Sequence, residues 1–269
     1  MKLQTQGISL AYETAGPRNS LPVVFIHGFP FSREMWRGQV KALSRDFYVV
    51  TYDVRGHGES DTGDGQYTVE LFVDDLIALF DHLKLKRAAV VGLSMGGYIA
   101  LRAAERHPDR FRALVLCDTR SEADGNEGKI KRAQQVREIK NGGLKDFTEQ
   151  FLRAVFYEKS ISSDLPAVAS IKSIIEKTPP QAVAGTLIAL AGRTDTSAAL
   201  YKLNIPTLIL VGRHDAITPP SAANAMKEKI SGSEMHIIPD AGHMSNLENP
   251  AEFTGHLVKF LHTLKESSS

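Results

Sequence analysis

The sequence is short of the features that mark secreted, membrane-bound and nucleic-acid-binding proteins. It has one cysteine, Cys117, in 269 residues, which excludes an intrachain disulfide and indicates a reducing compartment. No apolar run approaches the roughly 18 residues of a membrane-spanning helix, and residues 1–10 are too polar for the core of a signal peptide. A formal net charge of +1 provides no basic surface for nucleic acid. These absences predict a globular cytoplasmic protein with neither a membrane nor a nucleic-acid partner.

Metal-binding patterns are missing as well. The sequence contains no HExxH pair, no paired CxxC and no cluster of histidines, so we expect neither a metal ion nor another cofactor. Cys117 ends the apolar run 113–117, where a buried strand thiol is expected rather than a reactive one. The chemistry of the protein is therefore expected to come from its own side chains.

What the sequence does have is an alternation of short apolar runs and amphipathic segments. Strands are predicted at 23–26, 48–52, 88–91, 113–117, 207–211 and 235–238, with residues 8–15 as a candidate for an antiparallel edge hairpin. Helices are predicted at about 33–44, 68–83, 95–107, 219–230 and 249–264. Near-continuous apolar strands separated by helices are typical of a parallel sheet buried on both faces. We predict an α/β fold with a mostly parallel, twisted sheet flanked by helices.

The alternation stops between residues 119 and 203. This stretch contains no convincing strand, and its helices are predicted at 128–140, 144–157, 167–177 and 181–191. We predict that 119–203 forms a helical cap, or lid, inserted after the sixth strand over the carboxyl edge of the sheet, where open α/β sheets bind ligands. Residues 1–118 and 204–269 then form the core, and the closing Ser267-Ser268-Ser269 is expected to be a frayed end.

A serine motif follows the strand predicted at 88–91. Residues 92–97 read Gly-Leu-Ser-Met-Gly-Gly, and a serine framed as G-x-S-x-G between a strand and a helix is the pattern of a nucleophile on a sharp turn. Gly92 and Gly96 remove side chains that would collide where the strand and the helix press together. Helical periodicity begins directly after Ser94, and the N-terminus of a helix favours a developing negative charge. The motif predicts Ser94 as a nucleophile.

An activated serine needs a base that removes its proton and a group that orients the base. Asp215 comes just past the strand predicted at 207–211, and His243 lies in a loop before the final predicted helix. The order Ser94, Asp215, His243 is one of the three common orders of a catalytic triad, and all three positions fall at one sheet edge. We predict this triad, with Asp118, which follows another strand, as the alternative acid.

The oxyanion that forms during acyl transfer needs two N–H donors. One donor is predicted to be the backbone N–H of Met95, the residue after the nucleophile. The other is expected in the loop that reads His-Gly-Phe-Pro, where Phe29 has a backbone N–H and Pro30 has none. His27 is expected to brace this loop, since His243 already fills the role of the base.

Two other polar groups are interpreted as structural. Residues 53–60 place an aspartate, a histidine and a serine within one short segment, but neighbours in sequence rarely converge on one atom, and Gly56 and Gly58 indicate a turn. Arg33 is a candidate partner for a substrate carboxylate, although we favour a solvated surface position for it.

Aromatic residues supply candidates for an apolar acyl site. We select Trp36, Phe151, Phe156 and Tyr157, of which the last three come from the predicted cap. The alternative is that aromatic residues at helical spacing, Phe147 and Phe151 in particular, only hold the cap together. Both interpretations stay open at the level of sequence.

These motifs resemble those of the α/β-hydrolase superfamily. The resemblance covers about 1–118 and 204–265 and is carried by residues 27–30, 53–60 and 92–97, Asp215 and Gly242-His243. It implies the α/β-hydrolase fold, with 119–203 as the usual cap insertion. Residues 92–97 and 116–119 are similar to the carboxylesterase and 3-oxoadipate enol-lactonase branch. The enol-lactonases usually have an Asn-Ser pair where this chain has Phe29-Pro30.

We predict a serine hydrolase that cleaves a small-molecule carboxylic ester or lactone through an acyl-enzyme, with no cofactor. One alternative on the same triad is a cofactor-free perhydrolase or haloperoxidase. A carbon–carbon bond hydrolase is another, although those enzymes usually have Asn where this chain has Leu93. The resemblance also includes enzymes with an aspartate nucleophile, against which Ser94 argues. A receptor that binds without turnover is the alternative outside enzymes, and the sequence leaves a homo-oligomer open.

Overall fold

The computed structural model describes residues 1–266, which contain one sheet of eight strands. Ser267-Ser268-Ser269, the predicted frayed end, lies outside the described residues. The strands are β1 (Lys2–Thr5), β2 (Ile8–Ala15), β3 (Pro22–Ile26), β4 (Tyr48–Tyr52), β5 (Ala88–Leu93), β6 (Phe111–Cys117), β7 (Thr207–Gly212) and β8 (Glu234–Ile238).

The strand order in the sheet is β1-β2-β4-β3-β5-β6-β7-β8. β2 pairs antiparallel with β1 and with β4, and the other neighbouring pairs of the described sheet are parallel. The predicted mostly parallel sheet with an antiparallel edge hairpin is therefore confirmed.

Helices lie between the parallel strands along the chain and after the last strand. They are α1 (Arg37–Leu43), α2 (Val69–His82), α3 (Met95–Arg106), α4 (Asn126–Gly142), α5 (Lys145–Val155), α6 (Glu158–Ser162), α7 (Pro166–Lys177), α8 (Pro180–Ala191), α9 (Pro220–Lys229), α10 (Ser245–Glu248) and α11 (Pro250–Glu266). The helix expected at 33–44 begins as a 3₁₀ turn, Arg33–Trp36, before α1. Within residues 1–266, none of the helices combines the length and the low polarity that crossing a bilayer requires.

The central strands are apolar along their whole length because they are covered on both faces. Every residue of β4, β5 and β7 is buried. Strands of a half-exposed sheet would instead alternate apolar and polar residues. Cys117, the last residue of β6, is fully buried, and this burial raises the pKa of its thiol well above the ordinary value. The prediction of a buried strand thiol is confirmed.

Between β6 and β7 the described chain is helical, with α4 to α8 and a short 3₁₀ turn at Leu200–Lys202. In this helical insertion α4 packs against α8, and α5 packs against α7. The four predicted helices correspond to α4, α5, α7 and α8. The additional helix α6 has 5 residues, too few to produce a periodic pattern. The division into a core and a cap at 119–203 stays a prediction.

Candidate active site

Ser94 occupies the turn between β5 and α3. Its backbone has φ +54° and ψ −113°, a conformation that costs a residue other than glycine about 1–3 kcal/mol. The Ser94 N–H donates to the carbonyl oxygen of Cys117 (2.9 Å), and the Thr119 hydroxyl donates to the carbonyl oxygen of Ser94 (2.8 Å). These bonds to the end of β6 hold the strained residue, which is half-buried and directly precedes α3.

The glycines of the motif allow the close approach that this turn requires. A Cβ atom added at Gly92 would overlap the carbonyl oxygen of Gly96, and one added at Gly96 would overlap the carbonyl oxygen of Ile26. Backbone atoms cannot move aside as flexible side chains do, so a side chain at either position would separate α3 from the sheet. The structure thus confirms that side chains at Gly92 and Gly96 would collide where the strand and the helix meet.

His243 and Asp215 are in direct contact beneath the carboxyl edge of the sheet. The Nδ1–H group of His243 donates to Oδ2 of Asp215 at 2.8 Å, and both residues are buried. Because Nδ1 carries the proton in this hydrogen bond, Nε2 of the neutral ring is left as the basic nitrogen. The pair therefore has the geometry of a general base with its orienting acid.

The Asp215 carboxylate is fully engaged by its own loop. Oδ1 accepts the backbone N–H groups of Ile217 (2.8 Å) and Thr218 (2.9 Å), and the Thr218 hydroxyl donates to Oδ2 at 2.7 Å. Burial acts to raise the pKa of Asp215, but the charge of His243 and the hydrogen bonds from His243 and Thr218 outweigh it and hold this pKa below its usual range. Asp215 is therefore kept ionised.

Asp118, the alternative acid, has different partners. Its Oδ1 accepts the N–H of Gly212 at 2.8 Å, and its Oδ2 accepts the hydroxyl hydrogen of Ser245. Burial, together with the negative charge of Asp215, raises the pKa of Asp118 well above its ordinary value. The structure brings Asp215 rather than Asp118 into contact with His243.

Sheet topology brings Ser94, the predicted nucleophile, to the same edge as this pair. Ser94 follows β5, Asp215 follows β7 and His243 follows β8, and these strands are parallel neighbours through β6. The Ser94 hydroxyl forms no hydrogen bond with another residue of the described part of the chain. Catalytic hydrogen bonds are often long in free enzymes and shorten when substrate binds.

Both predicted oxyanion donors are available. The backbone N–H groups of Phe29 and Met95 have no acceptor among residues 1–266. His27 holds the loop of Phe29: its Nδ1–H donates to the carbonyl oxygen of Gly28 at 2.8 Å, and its Nε2 accepts the N–H of Val54 at 2.9 Å. Burial is the main cause that lowers the pKa of His27 to about 4, so the ring is neutral. A neutral ring with both nitrogens occupied is a brace for this loop.

Arg33 and Asp53 form a buried ion pair under the same loop region. Asp53 accepts the backbone N–H groups of Arg33 (2.7 Å) and Glu59 (2.9 Å) as well as the Arg33 guanidinium. The guanidinium also bonds to Glu13 (3.0 Å) and to Glu59 (2.8 Å). The expectation of a solvated Arg33 is wrong, because 7% of this residue is exposed. Within residues 53–60 the Asp53 carboxylate is thus occupied by Arg33 and Glu59, and the structural interpretation of the whole segment stays a prediction.

Aromatic side chains of the helical insertion reach the oxyanion loop. The ring of Phe151 lies 5.8 Å from that of Phe29 and 6.1 Å from that of Phe31, between centroids. Phe151 also stacks on Phe147 at 5.3 Å, so it serves packing within the insertion too. Tyr157 stacks on His214, the neighbour of Asp215 in sequence, at 3.9 Å. Phe156 is buried.

Trp36 lies in a different environment from the other selected aromatic residues. It has 0% exposure and packs between Phe25 and Phe253, with ring centroids 5.0 and 6.3 Å away. A side chain without accessible surface lines no open pocket. Trp36 is therefore a core residue, and its apolar character reflects burial rather than substrate contact.

A cavity of about 900 Å³ opens between residues 32–37 and helix α7. Its lining combines the charged side chains of Arg37 and Lys177 with apolar ones such as Ile171, and none of the three triad residues lines it. This cavity is thus separate from the candidate active site. No group of three or more His, Cys, Asp or Glu side chains in residues 1–266 is arranged to hold a metal ion.

The fold and this arrangement of residues define an α/β hydrolase. Residues 22–250 match the family described as the alpha/beta hydrolase fold, and the chain belongs to this family. The resemblance seen in the motifs is thereby confirmed.

Individual relatives indicate which members of this family the chain is similar to. The chain is similar to 3-oxoadipate enol-lactonase 1 of Acinetobacter baylyi, with 32% identity over 249 residues that cover 92% of this chain and 91% of the relative. Its fold is similar to that of a thermophilic esterase from Thermogutta terrifontis, with a TM-score of 0.92 and 37% identity over 98% of this chain and 97% of that one. The enol-lactonase of Burkholderia xenovorans gives a TM-score of 0.91 and 30% identity over 97% of this chain and 100% of that one.

Proposed function

We propose that this protein is a serine hydrolase that cleaves a small carboxylic ester or lactone. The observation that carries the proposal is the 2.8 Å contact between His243 Nδ1 and Asp215 Oδ2, at the sheet edge where Ser94 occupies its strained turn. The similarity to an enol-lactonase and an esterase supports this substrate class. The proposed reaction uses no cofactor.

The reaction proceeds through an acyl-enzyme. His243 Nε2 takes the hydroxyl proton of Ser94 as Oγ attacks the carbonyl carbon of the substrate. The tetrahedral intermediate expels the alkoxide, which His243 protonates; in a lactone this alcohol stays attached to the acyl group. Water that has lost a proton to Nε2 then attacks the acyl-enzyme, which releases the carboxylic acid and restores the Ser94 hydroxyl. Asp215 stabilises the imidazolium that forms in both halves of the reaction.

Two backbone groups stabilise the oxyanion. The N–H groups of Phe29 and Met95, which have no acceptor among the described residues, donate to the oxygen that gains negative charge. The N-terminus of α3 adds a favourable dipole at the same place. Braced by His27, the Phe29 donor is held in position before the reaction begins.

The acyl group of the substrate is placed against aromatic side chains. Phe29 carries one oxyanion donor, and its ring contacts Phe147 and Phe151 at centroid distances of 6.2 and 5.8 Å. An apolar wall next to the oxyanion donors suits a hydrocarbon acyl chain. Tyr157, beside the Asp215 loop, is the second aromatic contact that we propose for the substrate.

Ser94→Ala tests the proposal directly. We expect turnover of p-nitrophenyl esters and of lactones to fall about 10⁴- to 10⁶-fold, since loss of any triad nucleophile leaves only binding and oxyanion stabilisation. A fluorophosphonate should label the native protein and not the variant. Ser162→Ala, which changes an exposed serine on α6, should keep full activity and full labelling. Near-native turnover by Ser94→Ala would contradict the proposal.

The same substrates distinguish the other functions. Faster acyl transfer to hydrogen peroxide than to water would indicate a perhydrolase. Labelling of Ser94 without turnover of any ester or lactone in the panel would indicate a receptor that has kept a reactive serine.

A further inference from the structure

One carboxylate joins the catalytic histidine loop to the helical insertion. Oε1 of Glu248, the last residue of α10, accepts the backbone N–H groups of Gly242 (2.8 Å) and Met244 (3.2 Å). Oε2 accepts the backbone N–H of Tyr157 (2.7 Å) and the hydroxyl hydrogen of Ser160 (2.6 Å). Each oxygen thus serves a different segment: Oε1 binds the loop of the proposed base, and Oε2 binds the start of α6.

His243, the proposed base, also bonds directly to the helical insertion. The backbone N–H of His243 donates to the carbonyl oxygen of Val155, the last residue of α5, at 2.9 Å. The three consecutive N–H groups of residues 242–244 are therefore all engaged, two by Glu248 and one by the insertion. Hydrogen bonds to a charged acceptor are stronger than those between neutral groups. The orientation of the loop consequently depends on where residues 155–160 lie.

Packing makes the same connection rigid. A Cβ atom built on Gly242 would lie 2.7 Å from the nitrogen of Tyr157 and 3.1 Å from the carbonyl carbon of Phe156. The backbone of the insertion thus rests directly on the backbone of the loop, with no side chain between them. The Tyr157 ring, stacked on His214 at 3.9 Å, extends this contact to the loop of the catalytic acid.

We propose that Glu248 is a positioning residue that transmits the position of residues 155–160 to the imidazole ring of His243. The proposal rests on the proposed hydrolase function, in which His243 is the base. A carboxylate with two donors on each oxygen holds two segments at one relative position, because its oxygens are a fixed distance apart. When residues 155–160 rest on the loop, the loop is clamped and the His243 ring is aligned with Asp215. A displacement of these residues pulls on the loop through Glu248 and Val155.

Substitutions on the two sides of Glu248 test the proposal. Glu248→Gln replaces one acceptor oxygen by a donor, and we expect kcat to fall about 10- to 100-fold while KM changes less than about twofold. Ser160→Ala removes one donor on the insertion side and leaves residues 242–244 untouched, and we expect kcat to fall about two- to fivefold. Ser162→Ala is the matched control, because its hydroxyl bonds only within α6, to the carbonyl oxygen of Lys159.

Two further measurements separate positioning from a merely structural role. The downfield proton resonance of His243 Nδ1–H reports the bond to Asp215, and it should shift in Glu248→Gln and in Ser160→Ala but not in Ser162→Ala. If Ser160 acts through Glu248, the double variant should lose no more activity than Glu248→Gln alone. Unchanged kcat and resonance in Glu248→Gln would overturn the proposal.

The outcomes also separate this proposal from the proposed function. If the native protein neither turns over esters nor reacts with fluorophosphonate, the hydrolase function fails, and the His243 resonance still tests whether Glu248 positions the ring. If Glu248→Gln fails to fold, Ser160→Ala decides: a loss of kcat relative to Ser162→Ala supports the proposal, and equal activity overturns it.

Discussion

Ser245 donates its hydroxyl hydrogen to Oδ2 of Asp118, and this bond joins the start of α10 to the residue that follows β6. The other oxygen of Asp118 accepts the N–H of Gly212, at the end of β7, at 2.8 Å. Asp118 therefore connects the end of β7, which precedes Asp215, with the helix that follows the loop of His243.

Exchanging the carboxylates of Asp215 and Asp118 for amides, one at a time, distinguishes the catalytic acid from a structural carboxylate. Asp215→Asn should lower kcat about 10⁴-fold, because an amide favours the wrong tautomer of His243. Asp118→Asn should cost about tenfold or less, because the raised pKa of Asp118 favours its neutral form, which an amide resembles. Steady-state kinetics on one p-nitrophenyl ester measure both losses. The reverse ranking would make Asp118 the catalytic acid.

Relief of backbone strain should be visible at Ser94. Ser94 has φ +54°, so Ser94→Gly should unfold with a free energy about 1 kcal/mol higher than that of Ser94→Ala. Both variants lack the hydroxyl, and they differ only in the Cβ atom. Urea denaturation of the pair measures the difference. Equal stability would show that the turn carries no strain that glycine relieves.

Acid should destabilise the fold through two buried histidines. Burial, the largest cause in each case, lowers the pKa of His27 to about 4 and that of His57 to about 3. Histidine in an unfolded chain has a pKa of about 6.5, so the unfolded state binds protons first as the pH falls. The stabilising contribution is complete above pH about 6.5 and decreases as the pH falls towards about 4. Urea denaturation at pH about 7 and about 5 should show a loss of about 2 kcal/mol for each ring.

A variant at His57 provides the control for this pH dependence. Its Nδ1 bonds to the carbonyl oxygen of Arg55 at 3.0 Å, and an asparagine amide can replace that donor. His57→Asn should therefore reduce the loss of stability between pH about 7 and about 5 by roughly half. An unchanged pH dependence would show that protonation of His57 does not contribute.

A substitution at Phe151 shows whether the aromatic residues of the insertion line the acyl site or only hold the insertion together. If it lines the acyl site, Phe151→Ala should lower kcat/KM for a medium-chain ester about tenfold more than for an acetate ester, the scale of a lost apolar contact. Phe147, which is 5% exposed and stacks on Phe151, should affect stability more than chain-length preference when changed to alanine. Equal losses on all esters for both variants would favour a purely structural role in the insertion.

The positions of the candidate catalytic residues were predictable because each lies within five residues of the end of a strand. Such strands are visible as apolar runs, and the ends of parallel strands share one edge, so Ser94, Asp215 and His243 could be grouped without coordinates. The sequence predicted less firmly that Asp215, and not Asp118, contacts His243. Both aspartates follow strands, and only the loop geometry, through Thr218, separates them.

The predictions for Arg33 and Trp36 were wrong for one physical reason. Arg33 and Trp36 belong to a short 3₁₀ turn whose burial is set by packing against distant parts of the chain, Asp53 for Arg33 and Phe253 for Trp36. Local sequence contains no record of such partners. Glu248 precedes Asn249-Pro250, and this local pattern indicates only the start of a helix. Its place 5 residues after His243 is the one local signal that could have pointed to the base.

The burial of Cys117 at the end of β6 has a practical consequence for following motion in this protein. Its thiol has no exposed surface and its raised pKa keeps it protonated, so thiol reagents should leave the native chain unmodified. Since the chain contains one cysteine, a second one placed at the exposed Ile188 on α8 would be the single site for a dye. A dye at this position can thus report motion of the helical insertion during turnover, and the native thiol does not have to be removed first.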